Sequence, residues 1–91
     1  MNELFTFIVE HDGASSVSQI RSSSIGVAFE GWRLDLQSYL KEILQEHDIG
    51  ELQQSLKSET PTPLHGIANV WFVCGITASH LARINIVRTL G

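Results

Sequence analysis

The spacing of apolar residues changes along this chain, and this change limits the fold more than any other feature of the sequence. Toward both ends, β-branched and aromatic residues fill short segments such as LFTFIVE (4–10) and ANVWFVCGIT (68–77), which is typical of strands. In the centre, apolar residues recur at every third or fourth position, which is typical of helices. Strands, helices and strands in that order within 91 residues predict one α+β domain spanning residues 1–91.

The strand-like segments form two predicted hairpins. After residues 4–10, Asp12-Gly13 is a strong turn signal, and the chain returns through residues 15–22. At the other end, residues 78–81 separate a strand over 68–77 from a strand over 82–90. The simplest packing is one four-stranded antiparallel sheet with a long and a short helix on one face.

The central segment predicts the two helices. Ser24 is the expected N-cap of a helix over about 24–46, bent near Gly31. Asp48 and Glu51 have the spacing of a capping box, which predicts a short second helix over about 49–58. The prolines of TPTPLHG end this helix and predict an extended connector. The expected core stripe of the long helix comprises Ile25, Ala28, Phe29, Trp32, Leu36, Leu40, Ile43 and Leu44.

The sheet face away from the helices is expected to be apolar. We expect it to carry some of residues 5–9 together with Trp71, Val73 and Val87. So large an apolar area marks an interaction surface. The sequence therefore predicts a homodimer through the sheet face or an edge strand, with Trp71 either in the core or an anchor for a partner.

Charge favours a protein partner over a nucleic acid. The net charge is −4, and most acidic residues lie between positions 30 and 59. Nucleic-acid binding relies on lysine and arginine, so it is not expected. We predict that a basic protein binds an acidic helical face containing Glu42, Glu46, Asp48 and Glu51. With no apolar run of about 18 residues and no signal-like start, a cytoplasmic protein without membrane contact is expected.

Catalytic chemistry is not indicated. The four histidines fall at predicted turns or element ends and lack a familiar metal-binding spacing. Cys74 lies in an apolar strand, which predicts a core residue. We therefore predict no catalytic residue, no metal and no cofactor. An alternative pocket would involve His11, His80 and Arg83 at hairpin tips and strand ends.

The segment FTFIVEHDGASSVSQIRSSSIGVAFEGW (5–32) resembles HicB-like antitoxin domains in its order of strand, turn, strand and capped helix. The likeness covers less than a third of the chain, the family's third strand with its Pro-Gly element is missing, and no residue role is carried over.

These observations lead to three functional hypotheses. The first is a small non-enzymatic protein–protein interaction domain, immunity- or antitoxin-like, that presents its acidic helical face to a basic partner. The second is a homodimeric small-molecule-binding protein or small enzyme with a site at the subunit interface. The third is a structural subunit of a larger assembly.

Overall fold

A computed structural model describes residues 2–78 and 80–89. It confirms the α+β class, with an antiparallel sheet of strand order β2-β1-β5-β4-β3 and helices packed on one face. Among the described residues, no helix has the length and apolar character needed to cross a membrane. The elements are β1 (Glu3–His11), β2 (Ala14–Ser22), α1 (Ile25–Leu34), α2 (Leu36–Leu40), α3 (Glu46–Leu56), β3 (Thr62–Pro63), β4 (Val70–Ile76) and β5 (Leu81–Thr89).

Within residues 2–78 and 80–89 the sheet has five strands, one more than the four predicted. The additional strand, β3, lies in the predicted proline-containing connector and pairs with β4 through Thr62–Phe72 and Pro63–Trp71. A proline is tolerated there because β3 is an edge strand, whose outward N–H positions need no partner in the sheet. Strand β5 lies at the centre, paired with both β1 and β4, so the C-terminal hairpin completes the core.

The predicted long helix is interrupted, and the structure contains three helices in its described part. Ser24 is the N-cap of α1, as predicted, and its Oγ accepts a hydrogen bond from Val27 N at 3.3 Å. The break lies at Asp35, with φ −121° and ψ 30°, and not at Gly31. Asp35 Oδ1 accepts a 2.9 Å hydrogen bond from Ser38 Oγ. Such local side-chain bonding favours helix ends over helix interiors.

Helix α3 begins earlier than predicted. It starts at Glu46 with Gln45 as its N-cap residue, so Asp48 lies inside the first turn and is not a cap. Its predicted core residues Ile49, Leu52 and Leu56 are all buried, as expected from their helical spacing. The earlier start matters for the site described below, because it places residues 46–48 on the same regular helix as Glu51.

The core lies between the helices and one face of the sheet. The Trp32 ring is fully buried and stacks on Phe7 with ring centroids 4.7 Å apart. Each large apolar side chain buried in this way contributes about 1.5–3 kcal/mol. The predicted stripe is confirmed as core, with Ile25 and Ile43 partly buried at its margin. The fully buried members of the core also include Phe5, Leu36, Leu40, Leu52, Leu56, Ile84 and Ile86.

The two faces of the sheet are assigned differently from our expectation. Residues 5, 7 and 9, with Trp71 and Val73, belong to the covered face and not to the open one. Trp71 is half-buried and contacts Phe5 edge-on, with ring centroids 6.0 Å apart. The open face carries Ile8, Val17, Val70, Phe72, Cys74, Ile76 and Val87. Cys74 is therefore half-buried on the open face and is not a core residue.

Gly75 explains why α3 crosses the sheet on this side. A Cβ atom built on Gly75 would collide with Leu52 Cδ1 and lie 3.0 Å from Leu56 Cδ2. The missing side chain lets α3 approach the backbone of β4 closely, as glycine in a strand often does. This close approach holds the part of α3 that contains Leu52 and Leu56 against β4.

Helix α3 is also tied to α1 by a reciprocal pair of hydrogen bonds. The buried Arg33 donates from Nη1 to Gln53 O at 3.3 Å, and Gln53 Nε2 donates to Arg33 O at 2.9 Å. Arg33 also pairs with Glu30 at 2.5 Å. The hydrogen bond from Arg33 lowers the pKa of Glu30, and the same bond raises the pKa of Arg33.

Candidate functional site

Two hairpin turns meet at one end of the sheet because of the strand register. His11 is paired with Ala14 on β2 and with Ala82 on β5, while Ile76 is paired with Leu81. The β1–β2 turn and the start of β5 therefore lie side by side. Asp12 and Gly13 at the first turn have φ values of 48° and 79°. Two consecutive left-handed residues are characteristic of a tight type I′ hairpin, and Asp-Gly is a favoured pair for it.

The first turns of α3 come to the same end of the molecule. Ile76 N donates to Ser55 Oγ at 3.0 Å, and Ala78 N donates to Glu51 Oε1 at 3.2 Å. These two bonds attach one side of α3 to the end of β4 and the residues after it. We call the resulting group the histidine end; it consists of His11, Asp12, His47, Asp48, Glu51 and His80.

The hairpin part of the histidine end is closely connected. His11 is only 7% exposed, and its Nε2 shares a 3.0 Å hydrogen bond with Thr77 Oγ1. The His11 and His80 rings meet edge-on, with centroids 5.5 Å apart. His80 Nε2 lies 3.1 Å from Asp12 Oδ1. A buried imidazole and a carboxylate–imidazole contact thus come from three different strand ends.

The helical part is more open. His47 Nε2 lies 3.3 Å from Asp48 Oδ1, and their side chains are 69% and 20% exposed. One ligand-type atom from each of His47, Asp48 and Glu51 lies within 4.8 Å of the other two. Glu51 follows His47 by four residues and Asp48 by three, and both spacings make side chains neighbours on a helix surface, which explains why the three meet.

Three adjoining cavities surround these side chains. The central cavity, of about 380 Å³, is lined by His11, Asp12, Ala14, Ile43, Leu44, Gln45, His47, Asp48 and His80. The outer cavity, of about 480 Å³, is lined by Ile8, Glu10, His11, Asp12, Gly13, Ala14, Ser15, Leu81 and Arg83. The α3 groove, of about 650 Å³, is lined by His47, Gly50, Glu51, Gln54, Ser55, Ile76, Thr77 and Ala78.

The structure brings the three predicted pocket residues to this end, but not into one cavity. His11 and His80 line the central cavity, whereas Arg83 lines the outer cavity, which it shares with His11. Arg83 is exposed on the open sheet face, where it is paired in register with Glu10. The two cavities share His11, Asp12 and Ala14 in their linings.

The predicted acidic face is divided. Asp48 and Glu51 lie together at the histidine end. Glu46 is exposed as the first residue of α3, and Glu42 is exposed in the segment between α2 and α3. Trp71, the predicted anchor, lies on the covered face of the sheet against Phe5. The geometry therefore gives Asp48 and Glu51 a defined setting but places Trp71 away from them.

His47 and Asp12 were missing from the predicted site residues. For His47 a signal was present, since His47, Asp48 and Glu51 have helical spacing. Starting the second helix at residue 49 concealed this signal, because it assigned His47 to a loop. For Asp12, the turn was recognised, but its contact with His80 depends on the pairing of strands from opposite ends of the chain.

Imidazoles and carboxylates arranged in this way suit two kinds of contact. The carboxylates attract cationic groups, and imidazole with carboxylate can bind a divalent metal ion. The comparisons found no protein-family model, curated protein or solved structure that matches this chain, so its function must be inferred from the geometry alone.

Proposed function

We propose that this chain is a non-enzymatic protein-binding domain that presents the histidine end to a basic protein partner in the cytoplasm. The observation that carries the proposal is the position of Asp48 and Glu51 beside the α3 groove. Glu51 lines that groove together with Ile76, which is 59% exposed, and a carboxylate oxygen of Asp48 lies within 4.8 Å of one of Glu51. Charge next to accessible apolar area is the combination that protein interfaces use.

The acidic groups are held in place before any partner binds. Glu51 accepts a hydrogen bond from Ala78 N, and Asp48 contacts His47. Holding a side chain in one position reduces the entropy lost on binding. The α3 groove then supplies the apolar contact, because Ile76, at the end of β4, is among its lining residues. Electrostatic attraction would guide the partner, and the apolar contact would retain it.

Glu46 and Glu42 contribute to the field around the site in this proposal. Glu46 precedes Glu51 by five residues, so their backbones are about 7.5 Å apart along the helix axis. This separation is comparable with the Debye length of about 8 Å at physiological salt. Glu46 therefore adds to the negative potential at the groove without belonging to the Asp48–Glu51 group.

The test is a comparison of two charge-matched double variants. The chain is used to capture a basic protein from its native lysate, and the purified pair is then titrated at several salt concentrations. Glu46→Lys with Glu51→Lys should weaken binding at least about tenfold and flatten its salt dependence. Asp35→Lys with Glu59→Lys changes the net charge equally at exposed positions elsewhere, and should change affinity by about twofold or less.

Two results would contradict this proposal. One is that the control double variant weakens binding as much as the α3 double variant does, which would mean that the loss of affinity comes from net charge alone. The other is that the captured protein binds equally well to both variants and at all salt concentrations. Either result would mean that the acidic groups of α3 are not part of the interface.

A second candidate is supported by the outer cavity. It combines His11 and Arg83 with the apolar side chains of Ile8 and Leu81, and it opens on the apolar sheet face. A second copy packed on that face would close the cavity, giving a homodimer with a small-molecule site at its interface. Light scattering distinguishes the candidates, because this one requires a stable dimer, and a monomer at high micromolar concentration would exclude it.

The third candidate, a structural subunit of a larger assembly, rests on the same open face. Phe72, Ile76 and Val87 give that face an apolar character that a larger assembly could cover. It would be favoured if the purified chain forms neither a dimer nor a pair with a basic protein, but co-purifies in a complex of several proteins.

A further inference from the structure

His47, Asp48 and Glu51 form a group of different composition from an ordinary acidic surface. It contains one imidazole and two carboxylates, and one ligand-type atom of each residue lies within 4.8 Å of the other two. An ion bound at 2.0–2.2 Å needs donor atoms roughly 3–3.5 Å apart. Exposed side chains on a helix can move by about an ångström through small rotamer changes, so this arrangement is near a binding geometry.

A second observation comes from the opposite wall of the central cavity. His80, Asp12 and His11 line the same cavity as His47 and Asp48, although they come from two different hairpins. His80 Nε2 lies 3.1 Å from Asp12 Oδ1. Contact with a carboxylate is the usual way in which an imidazole near a metal is oriented. Side chains of the types that bind metals therefore line the cavity both from α3 and from the hairpin ends.

We propose that His47, Asp48 and Glu51 bind a divalent transition-metal ion at the rim of the central cavity. A mixed set of one nitrogen and two oxygens suits Zn²⁺, Co²⁺ or Ni²⁺, whereas Mg²⁺ and Ca²⁺ prefer oxygen ligands alone. Three protein ligands leave further coordination positions, which water or a group from the facing wall would fill. This inference uses the same two carboxylates as the proposed partner site, and its test requires no partner.

The charge balance of the site favours a cation despite the helix terminus. The N-terminus of a helix carries the equivalent of roughly +0.5 elementary charge, which opposes cation binding. Asp48 and Glu51 together supply two negative charges within the first two turns of α3. The carboxylates therefore outweigh the helix dipole, and an ion of charge +2 reduces the repulsion between them.

Calorimetric titration of the untagged protein with ZnCl₂ and NiCl₂ tests the proposal. The wild type should bind one ion per chain, and His47→Ala should weaken binding at least about tenfold, a loss of about 1.4 kcal/mol. Glu51→Gln should give a loss of similar size. His65→Ala removes an exposed histidine from a distant loop and should leave the affinity unchanged within about twofold. MgCl₂ should show no comparable binding.

Thermal melts verify that each variant is folded, and NMR locates the ion. Shifts induced by Zn²⁺ should centre on residues 47–51. The proposal is wrong if His47→Ala binds as tightly as the wild type, or if His65→Ala loses as much affinity. Shifts centred on His11 and His80 alone would also overturn the assignment to α3.

Discussion

His11–Asp12 closes the β1–β2 hairpin, whereas His47–Asp48 lies in the first turn of α3. In the hairpin pair, the imidazole is buried and bonded to Thr77, and the carboxylate extends to His80. In the helical pair, the imidazole is largely exposed and contacts the carboxylate beside it. The same two residue types, histidine followed by aspartate, therefore connect distant parts of the chain at the hairpin and remain accessible to solvent on the helix.

The difference shows how backbone conformation determines the use of a side chain. His11 ends a strand on the covered face, so its ring must enter the protein, and the left-handed φ of Asp12 turns the next side chain away. In α3, successive side chains are about 100° apart around the axis, so His47 and Asp48 both lie near the surface. We therefore expect changes in the hairpin pair to affect stability and changes in the helical pair to affect binding.

The largest expected effect comes from Gly75, whose missing side chain places α3, and with it His47–Asp48, at this end of the sheet. Gly75→Ala should lower the free energy of unfolding by about 2–3 kcal/mol, because the methyl group would overlap Leu52. Gly50→Ala is the matched control, since a Cβ there meets open space. It should raise stability by up to about 1 kcal/mol through helix propensity. Urea unfolding of both variants measures the contrast, and equal effects would refute the packing argument.

His11→Ala should cost less, about 1.5 kcal/mol. The substitution removes the buried hydrogen bond to Thr77 Oγ1. The cost is moderate because Thr77 keeps its contacts with the backbone of His80. Chemical denaturation provides the value, and NMR shifts at Thr77 and His80 report the local change. An unchanged midpoint would mean that His11 is not a structural residue.

His47→Ala should change stability by less than about 0.5 kcal/mol, since exposed side chains without a structural role rarely contribute more. The same denaturation experiment measures it beside His11→Ala. A loss of stability as large as that caused by His11→Ala would contradict the proposed difference between His11–Asp12 and His47–Asp48. If the stability is unchanged, as expected, the role of His47 is tested by the metal titration.

The smallest expected effect concerns Glu30 and provides a baseline for pH experiments on both pairs. The hydrogen bond from Arg33 holds the pKa of Glu30 below its ordinary value of 4.5. Its contribution to stability is therefore present above about pH 4.5 and is lost as the pH falls through the lowered value. Glu30→Gln should change the pH dependence of stability only below that range. Between pH 5 and 8 Glu30→Gln should be less stable than the wild type by a constant amount, and a difference in stability that varied with pH in that range would contradict this sign.

Local patterns were sufficient for much of the fold. The strand around Phe7, the turn at Asp12-Gly13 and the cap at Ser24 each depend on a few neighbouring residues, and all were predicted correctly. The break at Asp35 was missed because the apolar stripe continues through it without change. The strand at Thr62–Pro63 was missed because it is defined by pairing with β4 and has almost no pattern of its own.

The site was predictable only in fragments. His11, His80 and Arg83 were selected as residues at turns and strand ends, but their division between two cavities depends on which sheet face each occupies. Asp48 and Glu51 were selected for their charge. The role of His47 beside them depended on a helix start three residues earlier than the capping-box pattern indicated.

The sequence by itself determined the α+β class, the two terminal hairpins and the residues of the helical core stripe, because spacing and turn chemistry act between neighbours. Only the tertiary structure decided that α3 covers the Gly75 side of β4 and that Asp12 meets His80. The Asp12–His80 contact depends on the pairing of β1 with β5 across the length of the chain. Such a contact is stabilised by the packing of the whole core, and no short segment of the sequence records it.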